Sequence, residues 1–131
     1  MPYAFPWTGL VTLAAVVVYG WTGVRVAQAR VRYDVKAPAT TGNPDFERVF
    51  RVQANTGEQI IQFLPCLWLF AASFGDLWAA AIGVIWPIGR IVYILSYTKA
   101  AEKRGPGFGL TMLPTLLLAI GAIVGIVQRL I

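Results

Sequence analysis

Two sets of polar side chains recur at helical spacing within otherwise apolar sequence. Arg48, Arg51, Asn55, Glu58 and Gln62 lie three and four residues apart, and Arg90, Tyr93, Tyr97 and Arg104 lie three, four and seven apart. Those intervals place each set on one stripe of a helix. An ionisable group at the centre of a membrane span costs at least ~2.5 kcal/mol, so several on one face must line a cavity or pair with one another. One reading is an inter-helix ion-pair network with Glu58 as its anion. The other starts from the charge inventory: Glu58 cannot neutralise Arg48, Arg51, Arg90 and Arg104 together. Guanidinium forks match carboxylates bidentately, and Glu58 suits an ammonium group. A small peptide with two carboxylates and an amine would satisfy such a set.

The elements that position these stripes follow from composition. The chain has 131 residues, 57% hydrophobic and 13% charged, with a mean hydropathy of +0.64. Soluble domains run to about 45–50% apolar and about 25% charged, so the balance points to a membrane. Disorder is excluded by the apolar content, and a disulfide scaffold by the single Cys66, which reads as a buried structural thiol. With no histidine, histidine zinc sites, Ser-His-Asp triads and histidine-held haem are excluded, and no metal is expected. The length accommodates one domain, residues 1–131, of about four spans of ~20 residues. Helices are expected at about 3–28, 46–74, 77–101 and 110–131, giving an all-α integral membrane protein built as a four-transmembrane-helix bundle.

Between the spans, punctuation sets the boundaries. Ala27-Gln28-Ala29 resembles a small-x-small cleavage site, but no basic residue precedes the first run, and the run is long for a signal peptide. It reads as a retained span. Residues 29–45 read as a polar connector carrying Pro38, Gly42, Asn43 and Pro44, with Asp45 as N-cap of the second helix. Pro65 and Trp86-Pro87 predict kinks, Gly75-Asp76 a tight turn, and Gly105-Pro106-Gly107-Phe108-Gly109 a glycine-rich loop. Gly121 and Gly125 form a small-xxx-small packing signal. The net charge of +5 gathers mostly in stretches 25–51 and 99–104, between the apolar runs. A nucleic-acid binder would display that charge on a soluble surface. The positive-inside rule instead places 27–46 and 98–109 in the cytoplasm and both termini outside.

The run Phe46-Glu47-Arg48-Val49-Phe50-Arg51-Val52-Gln53-Ala54-Asn55-Thr56-Gly57-Glu58 resembles the signature of the MAPEG family, the membrane-associated proteins in eicosanoid and glutathione metabolism. Pro38-Ala39-Thr40-Thr41-Gly42, Gly89-Arg90-x-x-Tyr93-x-x-x-Tyr97 and Arg104 match the same pattern in order, closest to the microsomal glutathione transferase and leukotriene C4 synthase branch. The resemblance implies a homotrimer that binds glutathione, a small peptide of the kind described above, between neighbouring subunits near the cytoplasmic side. It implies that Arg51, Asn55 and Glu58 hold the glutathione backbone with Tyr93 and Tyr97 alongside, that Arg30 and Gln53 help from the adjacent subunit, and that Arg104 stabilises the thiolate. It leaves Arg48 and Arg90 in structural or supporting roles. The implied activity is glutathione transfer to lipophilic electrophiles, with glutathione peroxidase activity towards lipid hydroperoxides beside it. The alternative is a non-catalytic, lipid-binding membrane protein of the same fold. The non-catalytic branch of the family lacks the arginine found here as Arg51. Gln59 stands where several members have tyrosine, and Leu116 where the leukotriene synthase has tryptophan. A short chain without a tail suits a bacterial inner membrane.

The physics suits the role implied for Arg104. A free thiol has a pKa of ~8.5. A guanidinium at ~4 Å and an effective dielectric of ~20 contributes ~4 kcal/mol. At ~1.36 kcal/mol per pKa unit, that lowers the thiol by nearly three, with no histidine base.

Overall fold

A computed structural model describes residues 4–99, 102 and 105–131. Its helices are α1 (Pro6–Tyr33), α2 (Pro44–Phe74), α3 (Asp76–Gly83), α4 (Ile85–Lys99) and α5 (Gly105–Leu130), and no strand occurs among the described residues. Cross-helix contacts fix the directions. Trp68 donates its indole N–H to Thr12 Oγ1 at 3.1 Å, while Gln53 Nε2 lies against Gly23, so α2 runs antiparallel to α1. Arg25 meets Thr98 at one end and Trp7 meets Asp76 at the other, so α3 and α4 together run parallel to α1. Arg129 at the end of α5 reaches Ser73 and Ala72 at the end of α2. The result is an up-down-up-down bundle with the connector around 34–43, the end of α4 and the start of α5 at one end.

Three segments, Pro6–Tyr33, Asp76–Lys99 and Gly105–Leu130, are long and apolar enough to cross a membrane, and α2 packs among them as the fourth helix. Leu13, Val17, Leu113, Ile120 and Ile123 point outward, more than half exposed. Such an apolar exterior marks an integral, multi-pass membrane bundle. Inside it, Phe63 stacks on Trp86 with centroids 4.8 Å apart, amid Ala15, Leu67 and Leu118. A second cluster of Val18, Val52, Tyr93, Ile94 and Tyr97 lies toward the connector end.

Several boundaries differ from the sequence expectation, each for a physical reason. α1 continues to Tyr33, through Ala27-Gln28-Ala29 and the first turn of the expected connector. It ends where Asp34 turns left-handed (φ 51°) and donates its N–H to the Arg30 carbonyl. Asn43, rather than Asp45, caps α2: its Oδ1 accepts from the amides of Asp45 (2.9 Å) and Phe46 (3.2 Å), and Pro44 occupies the first turn. Asp45 pairs with Arg48 instead. The third span is two helices meeting at Val84 rather than one. Pro87, four residues after Gly83, has no N–H to bond that carbonyl, which moves the break upstream of Trp86-Pro87. The stretch 105–109 is no loop; it is the first turns of α5, with Pro106 placed where a helix tolerates proline. Gly75 ends α2 at φ 93°, a conformation that favours glycine. The expected small-residue packing is present, because a Cβ at Gly121 would strike the Phe70 ring at 2.4 Å.

The N-terminus of α1 is capped from far along the chain. Phe5 supplies no side-chain cap. Instead Asp76 accepts from the amides of Thr8 (2.7 Å) and Trp7 (3.1 Å), placing a carboxylate at the positive end of the helix. Asp76→Ala is expected to cost about 1–2 kcal/mol, the range for lost caps, read as a lower unfolding temperature in detergent.

Candidate functional site

The two polar stripes come together at the connector end of the bundle. Arg51 and Asn55 of α2, Tyr93 and Tyr97 of α4, and Gly105 and Phe108 of α5 line a cavity of about 320 Å³. A shallower depression of about 490 Å³ shares Arg51 and Tyr97 with it and extends to Thr40 and Thr41 on the first connector. Together they fall within the size range of small-molecule sites.

Arg90 organises this wall from behind. It is fully buried on α4. Its Nη2 donates to Asn55 Oδ1 at 3.1 Å and to Thr56 Oγ1 at 2.8 Å. Its guanidinium lies over the Tyr93 ring, 4.0 Å from the centroid. Tyr93 in turn stacks on Tyr97, centroids 5.5 Å apart. One buried cation thus fixes both a cavity-lining amide and a cavity-lining phenol. Because Asn55 Oδ1 accepts from Arg90, its amide N–H groups are left as donors, and Nδ2 lies 3.4 Å from Glu58 Oε2. No carboxylate among the described residues forms an ion pair with Arg90; the acceptors Asn55 and Thr56 are both neutral.

Glu58 does meet an arginine, but on its own helix. Arg51 Nη1 lies 3.8 Å from Glu58 Oε1, and the two side chains are 58% and 53% exposed. A long, exposed pair of this kind contributes little stability and opens readily to a competing ligand. The inter-helix ion-pair network considered above is therefore absent among the described residues; the link between α2 and α4 at this level is Arg90 with Asn55 and Thr56. Thr56, buried at the helix interface, had no signal in the sequence beyond being a polar residue one position off the stripe.

Other expected site residues stand elsewhere within the protomer. Arg30 staples the connector, donating to the carbonyls of Val35 (3.2 Å) and Ala39 (2.8 Å) and lying over the Phe46 ring. Gln53 faces α1 at Gly23. Neither lines the cavity. Gln59 is buried in the bundle rather than directed into the cavity. Cys66 is half-buried against the core, as a structural thiol would be. Arg104 lies outside the described residues, immediately before the cavity-lining Gly105.

The chemistry of this wall suits a ligand with carboxylates and hydrogen-bonding groups. The sequence model of the MAPEG family matches residues 8–124. An uncharacterized protein of Synechocystis sp. is 48% identical over 124 residues, covering 95% of this chain and 90% of its own length. Human microsomal glutathione S-transferase 2 is 41% identical over 102 residues, 75% of this chain and 69% of the relative. Bovine leukotriene C4 synthase is 33% identical over 114 residues, 86% of this chain and 76% of the relative.

Proposed function

Because the chain belongs to the MAPEG family, we propose that it is a membrane-bound glutathione transferase that binds glutathione in the cavity between α2, α4 and α5. The observation that carries the reading is the wall itself: Arg51, Asn55, Tyr93 and Tyr97 converge on one cavity, two of them held by the buried Arg90. In this reading Arg51 takes a glutathione carboxylate in a charge-assisted fork. Asn55 donates from Nδ2 to the peptide, Glu58 accepts the ammonium group, and the tyrosines hydrogen-bond and flank the chain. Arg104 sits against the sulfur and keeps it ionised at neutral pH.

The thiolate then attacks an electrophilic carbon of a lipophilic substrate. The new bond is C–S, and the leaving group departs with the electron pair. With a lipid hydroperoxide the sulfur attacks the terminal oxygen and the alcohol leaves; a second glutathione completes the reduction by forming glutathione disulfide. Arg51 and Glu58 are exposed on the protomer, which favours a second copy of the chain covering them. The homotrimer implied by the family provides that copy, and Arg30 and Gln53 would reach the ligand from it. The connector end is assigned to the cytoplasm of a bacterial inner membrane, as its basic residues suggest.

The test is thermal unfolding of the detergent-purified protein with and without glutathione. A ligand at a hundredfold excess over its Kd stabilises by about 2.7 kcal/mol. Arg51→Gln is expected to weaken the effect through a 10–100-fold loss of affinity, corresponding to about 1.5–3 kcal/mol for a hydrogen bond to a charged group. A wild-type protein indifferent to glutathione would sink the proposal and favour the lipid-binding alternative.

A further inference from the structure

A second polar cavity lies on a different flank of the same end. It has a volume of about 370 Å³, and Trp21, Arg25, Gln28 and Arg32 of α1 line it together with Tyr33 and Thr98. None of these residues borders the cavity assigned to glutathione. Arg25 is half-buried and held in place: its guanidinium lies 5.2 Å from the Trp21 ring centroid, and Nη2 donates to Thr98 Oγ1 at 3.2 Å. A guanidinium has five N–H donors, so this bond leaves several for a ligand. Arg32, two turns further on and about 10 Å along the axis, is exposed beside the Tyr33 ring. Asp45, also in the lining, is engaged by Arg48 and does not cancel the two arginines.

The position of the cavity specifies its ligand. Along α1 the outward side chains Leu10, Leu13, Val16, Val17 and Val24 are apolar and exposed, and the first arginine follows at once. Trp21 stands at that boundary, where interfacial aromatics anchor a span. The cavity is therefore at headgroup level, directly above a lipid-facing surface. Basic pockets between spans at this level are suited to acidic headgroups.

We propose that this cavity is a binding site for the phosphate headgroup of an anionic phospholipid, with Arg25 and Arg32 as its phosphate ligands and the acyl chains lying along the apolar face of α1.

The test measures binding of dioleoyl phosphatidylglycerol to the detergent-purified protein by native mass spectrometry and by thermal shift, with dioleoyl phosphatidylcholine and inorganic phosphate as parallel probes. Phosphatidylglycerol is expected to bind and to raise the unfolding temperature more than either probe. Each of Arg25→Gln and Arg32→Gln should weaken binding by about fivefold, and the double variant by about 25-fold. Lys36→Gln, which removes an exposed charge at the same end but outside the cavity, should leave it unchanged. If Arg25→Gln fails to fold, Arg32→Gln alone carries the test, since Arg32 is exposed. Equal binding of phosphatidylcholine, equal stabilisation by inorganic phosphate, or an equal loss in Lys36→Gln would overturn the proposal.

Discussion

Arg104→Ala is expected to move the pH dependence of glutathione conjugation upward by nearly three pH units. If Arg104 plays the proposed role, it would bring the bound thiol from ~8.5 to below 6 in the wild type. Activity should then be flat through neutrality and fall only in acid. In the variant the thiol returns to its ordinary range, and activity should rise with pH through about 8.5. The sign follows from the charge: a cation favours the deprotonated form, so removing it raises the pKa. At pH 7 the ionised fraction should drop about thirtyfold, from nearly complete to about 3%. The rate at a single pH is a poorer guide, because a thiolate stabilised by three pKa units is also a weaker nucleophile, with a Brønsted slope of about 0.4–0.5. The profile separates the two effects. Kinetics with a soluble model electrophile from pH 5 to 10 would show it; an unchanged profile in the variant would remove Arg104 from the role.

The second large effect is expected at Gly107. In α5 this glycine lies against the backbone of α4, where an added Cβ would meet the Tyr93 amide nitrogen at 2.4 Å and its Cα at 2.5 Å. Backbone cannot rotate away as a side-chain tip can, so alanine must push the two helices apart. Overpacking of this kind costs about 1–3 kcal/mol or more. Gly107→Ala should therefore lower the unfolding temperature. It should also weaken glutathione binding, because the displaced residue is Tyr93 and the ring that Arg90 holds moves with it. Gly109→Ala is the matched control. An added Cβ there meets nothing within 4 Å, and alanine favours helix over glycine by about 1 kcal/mol. That variant should be at least as stable as the wild type. Equal behaviour of the two variants, read by thermal unfolding and glutathione titration, would contradict the packing account.

Gly107 also shows where sequence reasoning stops. Five residues with three glycines and a proline read locally as a loop, whereas the structure uses them to start α5 and to bring it close to α4. Turn glycines and contact glycines look alike until the facing helix is known. The spans were legible because long apolar runs leave few alternatives in a membrane. Arg51, Asn55, Tyr93 and Tyr97 were legible because helical spacing is local, and the structure brings all four to one cavity. What was not legible is the choice among possible partners, near or far along the chain. Asp76 caps a helix that begins 70 residues earlier, and Asn43 displaced Asp45 as a cap through the placement of Pro44. Arg30 is tied to its own connector. Arg90 chose the neutral Asn55 and Thr56 rather than Glu58, a choice set by which face of α2 lies against α4.

That choice bears on the chemistry. A buried arginine hydrogen-bonded to neutral acceptors keeps its positive charge beneath the cavity wall. With Arg51 in the lining, the wall presents positive potential to an anionic ligand. The Arg51–Glu58 contact, long and exposed, does not lock the site shut. A ligand carrying both carboxylates and an amine can replace it with two separate pairings.

The most direct measurement of the central claim is ultraviolet difference absorbance on mixing glutathione with the purified protein at pH 7. A thiolate absorbs where a thiol does not. The proposed thiolate mechanism requires a saturable thiolate signal in the wild type that is lost in Arg104→Ala, with glutathione raising the unfolding temperature of the wild type. Absence of both the signal and the stabilisation in the wild type would contradict it.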